Sequence, residues 1–515
     1  MLNILKSAAK RVLPWRLKLH IYEIIQTCRS DVSQKIIPIT DKGQAERLGE
    51  LIRDALVREG VEFVFGGSLR GGTIRLNVRQ AEAQQVICAL STIVENDPSV
   101  LVCNSKFRVI KKLDRLAGMR KLSFNIACVR QKTNANRPKD VFASILEVAG
   151  WRKVDNIHGP KVVGACPNSV VSSSVSFSSI ARLGDLDEWQ ANRGDPVAQN
   201  FPIDVVYTWV DDTDPKWQEN KAAHAGKPDA ANLKDRTRAA ERYRNRNELK
   251  YSLRSLEMFA PFVRNIYLVT AGQVPDWLDT GNPEIRVVDH SEIYADRAHL
   301  PTFNSSSIET QLHHIPGLAE HFLYMNDDFF FGNWCERDKF FAPNGIVRFF
   351  PGNYYAIPEL LSDSAEEYVM SDKNVVMAFR QRLGISPSNI MLHVPYACRK
   401  SVLEELESEY ADLFETCARQ KFRSPNDIRP IAFMHPHYAA HKGLGIRNDV
   451  RQAYVALSSP NLKNQLKRIL SDRHLEFFCL NDARGLNALP QEEIDGLVAD
   501  FLESYFPIRS RFELK

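Results

Sequence analysis

Two adjacent carboxylates, Asp327 and Asp328, interrupt one of the most apolar stretches of the chain, HFLYMNDDFFFG. Burying two neighbouring acids without partners is costly, and a divalent cation offsets that cost. Mg²⁺ prefers hard oxygen ligands, takes one or two carboxylates and completes its shell with phosphates and water. The pattern therefore predicts an Mg²⁺ site, with Mn²⁺ as an alternative ion, at Asp327 and Asp328 beside the polar Asn326. A turn with solvated acids is the other interpretation.

A second group of acids follows another apolar stretch, IDVVYTWVDDTDP, in which Trp209 precedes Asp211, Asp212 and Asp214. An aromatic ring next to carboxylates suits a nucleotide base and its ribose hydroxyls. On its own this pattern is weak, since a tryptophan near a turn usually belongs to the core.

Three further segments offer residues for phosphate binding and proton transfer. Arg244, Arg246 and Arg254 in RNRNELKYSLRSLE present the bidentate donors that match phosphate geometry, or else form a solvated helix face. His393, in NIMLHVPYACRKSV, is a candidate general base, although a lone histidine is more often structural. Arg423 in KFRSPNDI is a candidate phosphate clamp. The polar Asn481 and Asp482 follow the apolar FFCL.

These segments lie in a pattern of alternating strands and helices from residue 201 onward. FPIDVVYTWV, NIYLVTAG, IRVVDH and HFLYMNDDFFFG are typical of buried strands, and NELKYSLRSLEMFAP and SSIETQLHHIPGL of helices. Alternation of this kind predicts an α/β fold with a mainly parallel sheet. Ligands bind beyond the carboxyl ends of such strands, so the two acidic groups are expected at one edge.

Four parts are predicted: a basic N-terminal segment (1–35), a small α/β domain (36–165), a linker (166–200) and a catalytic domain (201–515). In the small domain, QAERLGELIRDALVREG and AEAQQVICALSTIV predict helices, and EFVFGGSLRGGTIRLNV predicts two strands. Its GGSLRGG segment lacks the Lys-Ser/Thr of a phosphate loop and predicts a hairpin turn.

Composition excludes several classes of protein. The net charge of +4 over 515 residues does not indicate nucleic-acid binding. Nine scattered cysteines without a Cys-x-x-Cys pair argue against a disulfide framework and a zinc site, and they favour the cytoplasm. No apolar run reaches the ~20 residues of a membrane span. Residues 1–25 are basic with interleaved apolar residues, which fits either peripheral contact with an anionic membrane or a docking helix. The oligomeric state is not indicated.

The chain resembles the Stealth family, which includes bacterial capsular polysaccharide phosphotransferases. The resemblance covers roughly residues 201–510 and is carried, in order, by IDVVYTWVDDTDP, RNELKYSLRSLEMFAPFVRNIYLVTAGQVPDWL, LPTFNSSSIETQLHHIPGLAEHFLYMNDDFFFG, HVPYACRKSV and FFCLND. It implies a nucleotide-sugar fold of the glycosyltransferase A type, a UDP-N-acetylhexosamine-like donor, a polysaccharide acceptor and Mg²⁺.

The resemblance also implies roles for individual residues. Asp327 and Asp328 match the metal and pyrophosphate element, His393 the base and Arg423 the phosphate-binding arginine. The chain departs from the usual family motifs at two positions. It has Asp212 where the family usually has Gly, and it has Ala483 where the family usually has a second carboxylate. The residues expected to bind substrate are Asp204, Trp209, Asp211, Arg246, Asn247, Glu248, Asn304, Ser305, Glu309, His313, Asn326 and Asn481.

The implied reaction is transfer of hexose-1-phosphate from a UDP-sugar to a hydroxyl of a surface polysaccharide, with release of UMP. His393 would accept the hydroxyl proton, and Asp327 is the alternative base. An ordinary metal-dependent glycosyltransferase would use the same residues and release UDP. A polysaccharide-binding protein with a decayed site is a third reading, and the intact acids and His393 count against it.

Overall fold

A computed structural model describes two compact units of the chain, one before residue 176 and one after residue 200. The N-terminal segment and most of the predicted linker lie outside the described residues. The described ranges are 35–38, 42–61, 63–67, 74–79, 82–97, 99–104, 108–110, 112–113, 116, 123–132, 140–156, 159–164, 174–175, 201–225, 243–360, 367–482 and 489–514.

The described residues of the first unit form a mixed sheet with two helices, as the sequence predicts. The strand order is β2-β3-β6-β5-β4, and β1 and β7 pair with further parts of the long β6. The predicted pair of strands around GGSLRGG is present as antiparallel β2 and β3. The elements are β1 (Lys35–Pro38), α1 (Lys42–Arg58), β2 (Phe63–Gly67), β3 (Ile74–Arg79), α2 (Ala83–Asn96), β4 (Val100–Cys103), β5 (Ser123–Lys132), β6 (Asp140–Asn156), β7 (Gly159–Gly164) and β8 (Ser174–Val175).

Both helices of this unit bury one apolar face. Ile52 and Leu56 of α1 and Leu90 of α2 pack with Leu76 of β3 and Phe124 of β5 in one core. Their spacing of three or four residues is the helical periodicity that predicted α1 and α2.

The second unit is built on a five-stranded, mainly parallel sheet in the order β11-β10-β9-β12-β17. β9, β10, β11 and β12 are parallel, and β17 pairs with β12 in the antiparallel direction. β9 and β12 are buried on both faces, which explains their continuous apolar sequences. The strands are β9 (Ile203–Thr208), β10 (Val263–Thr270), β11 (Ile285–Asp289), β12 (His321–Asn326) and β17 (Tyr396–Arg399).

Smaller sheets extend this unit. β13 (Phe329–Phe331), β20 (Phe477–Asn481) and β19 (Gln452–Ala456) form a three-stranded sheet. The two-stranded pairs are β14 (Val347–Phe349) with β18 (Gly445–Arg447), and β15 (Pro351–Tyr355) with β16 (Asn389–Met391). The helices are α3 (Pro215–Ala225), α4 (Glu248–Phe259), α5 (His290–Ile293), α6 (Ser305–Glu309), α7 (Glu367–Leu383), α8 (Lys400–Glu409), α9 (Ala411–Ala418), α10 (His435–His441), α11 (Leu462–Asp472) and α12 (Gln491–Tyr505).

Two predicted elements are divided in the structure. SSIETQLHHIPGL forms the short α6 and then a separate 3₁₀ turn, Leu312–His314. HFLYMNDDFFFG is not one strand, because Asp327 and Asp328 form a turn between β12 and β13, which belong to different sheets. The acids therefore lie at a corner where the chain leaves one sheet for another.

The order of the parallel strands places this corner at a predicted ligand position. The chain runs outward from β9 through β10 to β11 and then returns to β12 on the other side of β9. The carboxyl ends of β9 and β12 flank this reversal, which is where open α/β sheets bind ligands. The predicted α/β fold with a mainly parallel sheet and a small N-terminal α/β domain is confirmed. Among the described residues, no helix combines the length and apolar character needed to cross a membrane.

Candidate functional site

The turn that carries Asp327 and Asp328 is held by α4 and β20. Ser252 of α4 donates a hydrogen bond of 2.6 Å to the carbonyl oxygen of Phe329. On the other side, the backbone N–H of Leu480 donates to the carbonyl oxygen of Asp328 at 3.1 Å. Backbone contacts to two elements therefore fix the position of both carboxylates.

Asp328 receives hydrogen bonds on one oxygen only. Cys479 Sγ lies 3.3 Å and Asn481 Nδ2 3.4 Å from Asp328 Oδ2. Oδ1 of Asp328 is buried and has no hydrogen-bond partner among the described residues. Burial raises the pKa of Asp328 to about 6, although the two hydrogen bonds oppose the rise. A buried oxygen without a partner is the atom that a cation would satisfy.

Glu248 adds a third carboxylate to this site. It is buried at the first residue of α4, and one of its oxygens accepts a hydrogen bond from the backbone N–H of Arg246. Burial raises the pKa of Glu248 to about 7, and the charge of Asp328 adds to this. Burial also raises the pKa of Asp327, as do the charges of Glu248 and Asp328. The three carboxylates thus destabilise one another's ionised forms.

Arginines of the RNRNELK segment bind Asp482 rather than pointing into open solvent. Arg246 Nη2 lies 2.9 Å and Arg244 Nη1 3.1 Å from Asp482 Oδ2. The Nε of Arg246 also donates to Asp495 at 2.7 Å, and its side chain is 5% exposed. Asp482 is therefore engaged by two guanidinium groups. The neighbouring position, where the family usually has a second carboxylate, is Ala483.

His393 lies on the loop between β16 and β17, near β19 and β20. Its Nδ1 is 4.0 Å from Cys479 Sγ, and its ring meets the Tyr454 ring edge to face at 5.0 Å. Burial, together with the positive charge of Arg429, lowers the pKa of His393 to about 4. The imidazole is therefore neutral at pH 7 and able to accept a proton.

Arg429 belongs to this site although its sequence context does not predict a functional role. It forms hydrogen bonds with both oxygens of the buried Asp372, at 2.9 and 3.2 Å. Its charge adds to the lowering of the His393 pKa by burial, and it opposes the rise that burial causes in the pKa values of Tyr396 and Glu309. Arg429 belongs to no recognisable motif. Only the apolar sequence that follows it, PIAFM, indicates that it is buried.

Arg423 contacts the first residue of α6. Its Nη2 lies 3.0 Å from Ser305 Oγ. Next to Ser305, Asn304 caps α6 and donates a 2.9 Å hydrogen bond to Asp427. Glu309, at the end of α6, is buried, and burial raises its pKa to about 7. The structure therefore brings together the predicted residues of α6 and the KFRSPNDI segment.

The acids after β9 build a turn next to this site. Asp211 accepts hydrogen bonds from the backbone and hydroxyl of Thr213, and Asp212 accepts one of 3.1 Å from the backbone N–H of Asn245. Trp209 is buried at the carboxyl end of β9. Asn326 aligns with Thr208, the last residue of β9.

Other predicted residues lie elsewhere. Asp204 is at the amino end of β9, where it forms two hydrogen bonds with Arg264, so it is not near the acidic edge. Arg254 is buried in a bidentate pair with Glu513 and offers no phosphate contact. His313 hydrogen-bonds Glu407. Asn247 is exposed and begins α4 with a left-handed backbone, φ 63°.

The donor set at the acidic edge fits a hard divalent cation. It contains the carboxylates of Asp327, Asp328 and Glu248, and Oδ1 of Asp328 lacks a partner among the described residues. A cation would lower all three raised pKa values because it stabilises the ionised forms. Asp327 and Asp328 are accordingly the residues that would hold Mg²⁺ or Mn²⁺.

Four family models match the chain. They are Stealth protein CR1, conserved region 1, at residues 201–227, CR2, conserved region 2, at 242–349, CR3, conserved region 3, at 392–441, and CR4, conserved region 4, at 467–515. Their order along the chain is that of the motifs singled out in the sequence.

Similar proteins are named exopolysaccharide phosphotransferases. SCO2594 of Streptomyces coelicolor is 42% identical over 325 residues, which cover 61% of this chain and 52% of the relative. SCO6021 of the same organism is 38% identical, covering 69% of this chain and 65% of the relative. CpsY of Mycobacterium tuberculosis is 36% identical, covering 61% and 58%. The chain thus spans about half the length of the relatives it matches.

Among solved structures, the galactosyltransferase LgtC, in complex with donor and acceptor sugar analogues, covers 58% of this chain and 95% of its own. The sequence identity is 11% and the TM-score 0.29. At that TM-score the likeness supports no inference about this chain.

Proposed function

This chain belongs to the Stealth family, and from that premise we propose that it transfers hexose-1-phosphate from a UDP-sugar to a hydroxyl of a surface polysaccharide, releasing UMP. The sugar is proposed to be an N-acetylhexosamine. The reaction is placed in the cytoplasm, where UDP-sugars are made, with residues 1–25 as a peripheral contact to the membrane.

One observation carries the proposal: the four conserved regions meet around a single site. Cys479 of the fourth region contacts Asp328 of the second and His393 of the third. Arg246 of the second region binds Asp482 of the fourth. Two further contacts are those of Asn245 with Asp212, between the second and first regions, and of Arg423 with Ser305, between the third and second.

The proposed step is a displacement at the phosphorus nearest the sugar. The acceptor oxygen forms a bond to that phosphorus, and the bond from it to the oxygen bridging the two phosphates breaks, so UMP leaves with that oxygen. The sugar C1–O bond stays intact and the anomeric configuration is kept. His393 accepts the proton of the acceptor hydroxyl, for which its low pKa keeps it in the neutral form.

Charge develops on the phosphoryl oxygens during this step and must be stabilised. Asp327 and Asp328 would hold Mg²⁺, which would contribute positive charge at this position when bound. Arg423 and Arg429 are proposed to supply further positive charge, since the charges of both act on Glu309 and that of Arg429 also acts on His393. Asp211 and Trp209 are proposed to contact the nucleoside.

The deciding experiment is the identity of the nucleotide product. The protein is incubated with a panel of UDP-sugars, Mg²⁺ and a polysaccharide acceptor, and products are analysed by mass spectrometry and phosphorus NMR. UMP together with a phosphodiester-linked glycan supports the proposal. UDP as the sole nucleotide product would instead assign the protein to the ordinary glycosyltransferases.

Two variants test the site in the same assay. Asp328→Asn removes a metal-binding charge with little change in shape, and we expect turnover to fall by about two orders of magnitude or more. The control is Asp449→Asn, because the side chain of Asp449 is 95% exposed. Equal activity of the two variants would remove Asp328 from the mechanism.

A further inference from the structure

Two neighbouring imidazoles and one carboxylate converge in a cluster that contains none of the residues in contact with Asp328. The Nε2 atoms of His313 and His314 lie 2.8 and 2.9 Å from the same atom, Oε2 of Glu407. The histidines come from the 3₁₀ turn after α6, and Glu407 comes from α8. The cluster therefore joins two segments that are about ninety residues apart in sequence.

The cluster has the composition and spacing of a transition-metal site. Its three candidate ligand atoms all lie within 4.8 Å of one another. Two imidazoles and one carboxylate form a known ligand set for Zn²⁺ with an open fourth position. His313 is fully buried, whereas the side chains of His314 and Glu407 are 32% and 34% exposed. Water therefore has access to the fourth position.

The second ring nitrogen of His314 also supports a transition-metal site. Its Nδ1 lies 3.1 Å from the carbonyl oxygen of Ile293. A carbonyl oxygen only accepts, so this nitrogen carries a hydrogen and Nε2 is left for the cluster. Histidines that bind metals usually donate their other N–H to such an acceptor.

Without a metal ion, the Nε2 atoms of both imidazoles direct protons at one oxygen of Glu407. With Nδ1–H donated to Ile293 and Nε2 facing a carboxylate, His314 carries a proton on both nitrogens and is a cation. Its ring centroid lies 4.1 Å from that of His313, whose Nδ1 is buried without a hydrogen-bond partner among the described residues. A metal ion would take the place of the protons that both Nε2 atoms direct at one oxygen.

We propose that His313, His314 and Glu407 bind Zn²⁺, with water as the fourth ligand. The ion would connect the turn that follows α6, which carries Ser305 and Glu309, to α8, which directly follows β17. The ion would thus stabilise the packing of this turn against α8. This proposal does not depend on the proposed reaction.

Co²⁺ is the probe of choice because its visible absorption reports nitrogen ligation and low coordination number. The full chain, stripped of metal with a chelator, is titrated with Co²⁺ and then with Zn²⁺. We expect one equivalent of Co²⁺ to give an intense visible band that Zn²⁺ displaces, whereas Co²⁺ held by the oxygen ligands Asp327 and Asp328 would be octahedral and absorb only weakly. His314→Gln and Glu407→Gln are both at partly exposed positions, and each should weaken binding at least tenfold.

Matched controls locate the ion. His441→Gln changes an exposed histidine, and Glu405→Gln changes a carboxylate of the same helix α8 that pairs with Lys442. Both should show the intense Co²⁺ band of the parent, and so should Asp328→Asn. No band in the parent, an undiminished band in His314→Gln and Glu407→Gln, or loss of the band in Asp328→Asn would each overturn the proposal. Circular dichroism confirms that every variant is folded.

Discussion

The thiol of Cys479 lies 3.3 Å from Oδ2 of Asp328, and both groups are enclosed by the turn between β12 and β13 and by β20. Cys479 is opposite Phe329 in the register of these two strands, so its side chain is directed by the sheet. The thiol donates to the carboxylate and is itself 4.0 Å from His393. Its place makes it a positioning residue and not a nucleophile.

We expect Cys479 to resist alkylation although it lies beside the site. Burial raises the pKa of its thiol, and the negative charge of Asp328 raises it further, so almost no thiolate exists at pH 8. Cys88 is exposed on α2 and serves as the internal control. Iodoacetamide treatment followed by peptide mass spectrometry should modify Cys88 and leave Cys479 intact. Comparable rates at both positions would contradict the described environment.

The titration of His393 tests the proposed base directly. Its pKa of about 4, caused by burial and by Arg429, means that the ring is neutral above pH 5. In histidine-selective NMR, with His393→Gln to assign the signal, we expect the resonance to titrate near pH 4. A midpoint near 6.5 would contradict this environment.

Enzyme kinetics provide a second test of His393 as the proposed base. His393→Ala should lower turnover by roughly two to four orders of magnitude, the usual range for loss of a general base. Donor affinity should change little, because the imidazole is proposed to face the acceptor. Calorimetry with a UDP-sugar and turnover on the same samples separates the two effects. If donor binding is lost instead, His393 is a substrate ligand and Asp327 becomes the candidate base.

Much of the fold followed from local sequence patterns. α4 begins and ends where the amphipathic pattern and Pro261 predict, and β9 and β12 are the continuous apolar runs of a parallel sheet. The turn at Asp327 was not predicted as a break between two sheets, because FLYMNDDFFF is apolar on both sides of the acids. Only the pairing of Phe329 with Cys479, about 150 residues later, creates the corner.

The site was predicted in part for a similar reason. Asp327, Asp328 and His393 stand out by chemistry within short segments. The role of Arg254 could not be predicted from the neighbouring sequence, because its partner Glu513 is 259 residues away. The same holds for His313 and Glu407, and for Arg429 and Asp372. Long-range ion pairs carry no local sequence signal, so single-sequence reasoning assigns such residues to sites or surfaces by default.

The carboxylates make a prediction about stability without metal. Glu248 and Asp328 have folded-state pKa values of about 7 and 6, above their ordinary values of 4.5 and 3.8. The folded protein therefore holds more protons than the unfolded chain between about pH 4 and 7, and its free energy of unfolding must fall as pH rises through this range. Below pH 4 both states are protonated and the penalty vanishes.

Asp327→Asn should reduce this pH dependence, because it removes one of the repelling charges. In excess chelator at pH 7 we expect it to stabilise the protein by about 1 kcal/mol or more, since each unit of pKa shift corresponds to ~1.4 kcal/mol. Urea unfolding at several pH values measures this, with Asp449→Asn as the exposed control. An Asp327→Asn variant that is less stable than the parent in chelator would contradict the repulsion.

The last prediction concerns Arg246 and Arg244, which bind the same oxygen of Asp482 but differ in solvent exposure. The Arg246 side chain is 5% exposed and also binds Asp495, whereas the Arg244 side chain is 27% exposed. Arg246→Gln should destabilise the protein by about 2–3 kcal/mol, because it leaves the buried Glu248 and the partly buried Asp482 without their cation. Arg244→Gln should cost no more than ~1 kcal/mol, since water solvates the exposed pair.

Urea unfolding followed by tryptophan fluorescence compares the two variants, and Asp482→Asn completes a double-mutant cycle with each. We expect the coupling energy of Arg246 with Asp482 to exceed that of Arg244, with a value of about 1–3 kcal/mol for contacting residues in one network. Arg246→Gln should also lower turnover, because Arg246 holds Glu248 through its backbone and side chain. Equal coupling of both arginines would show that the difference in burial has no energetic consequence at this link between the second and fourth conserved regions.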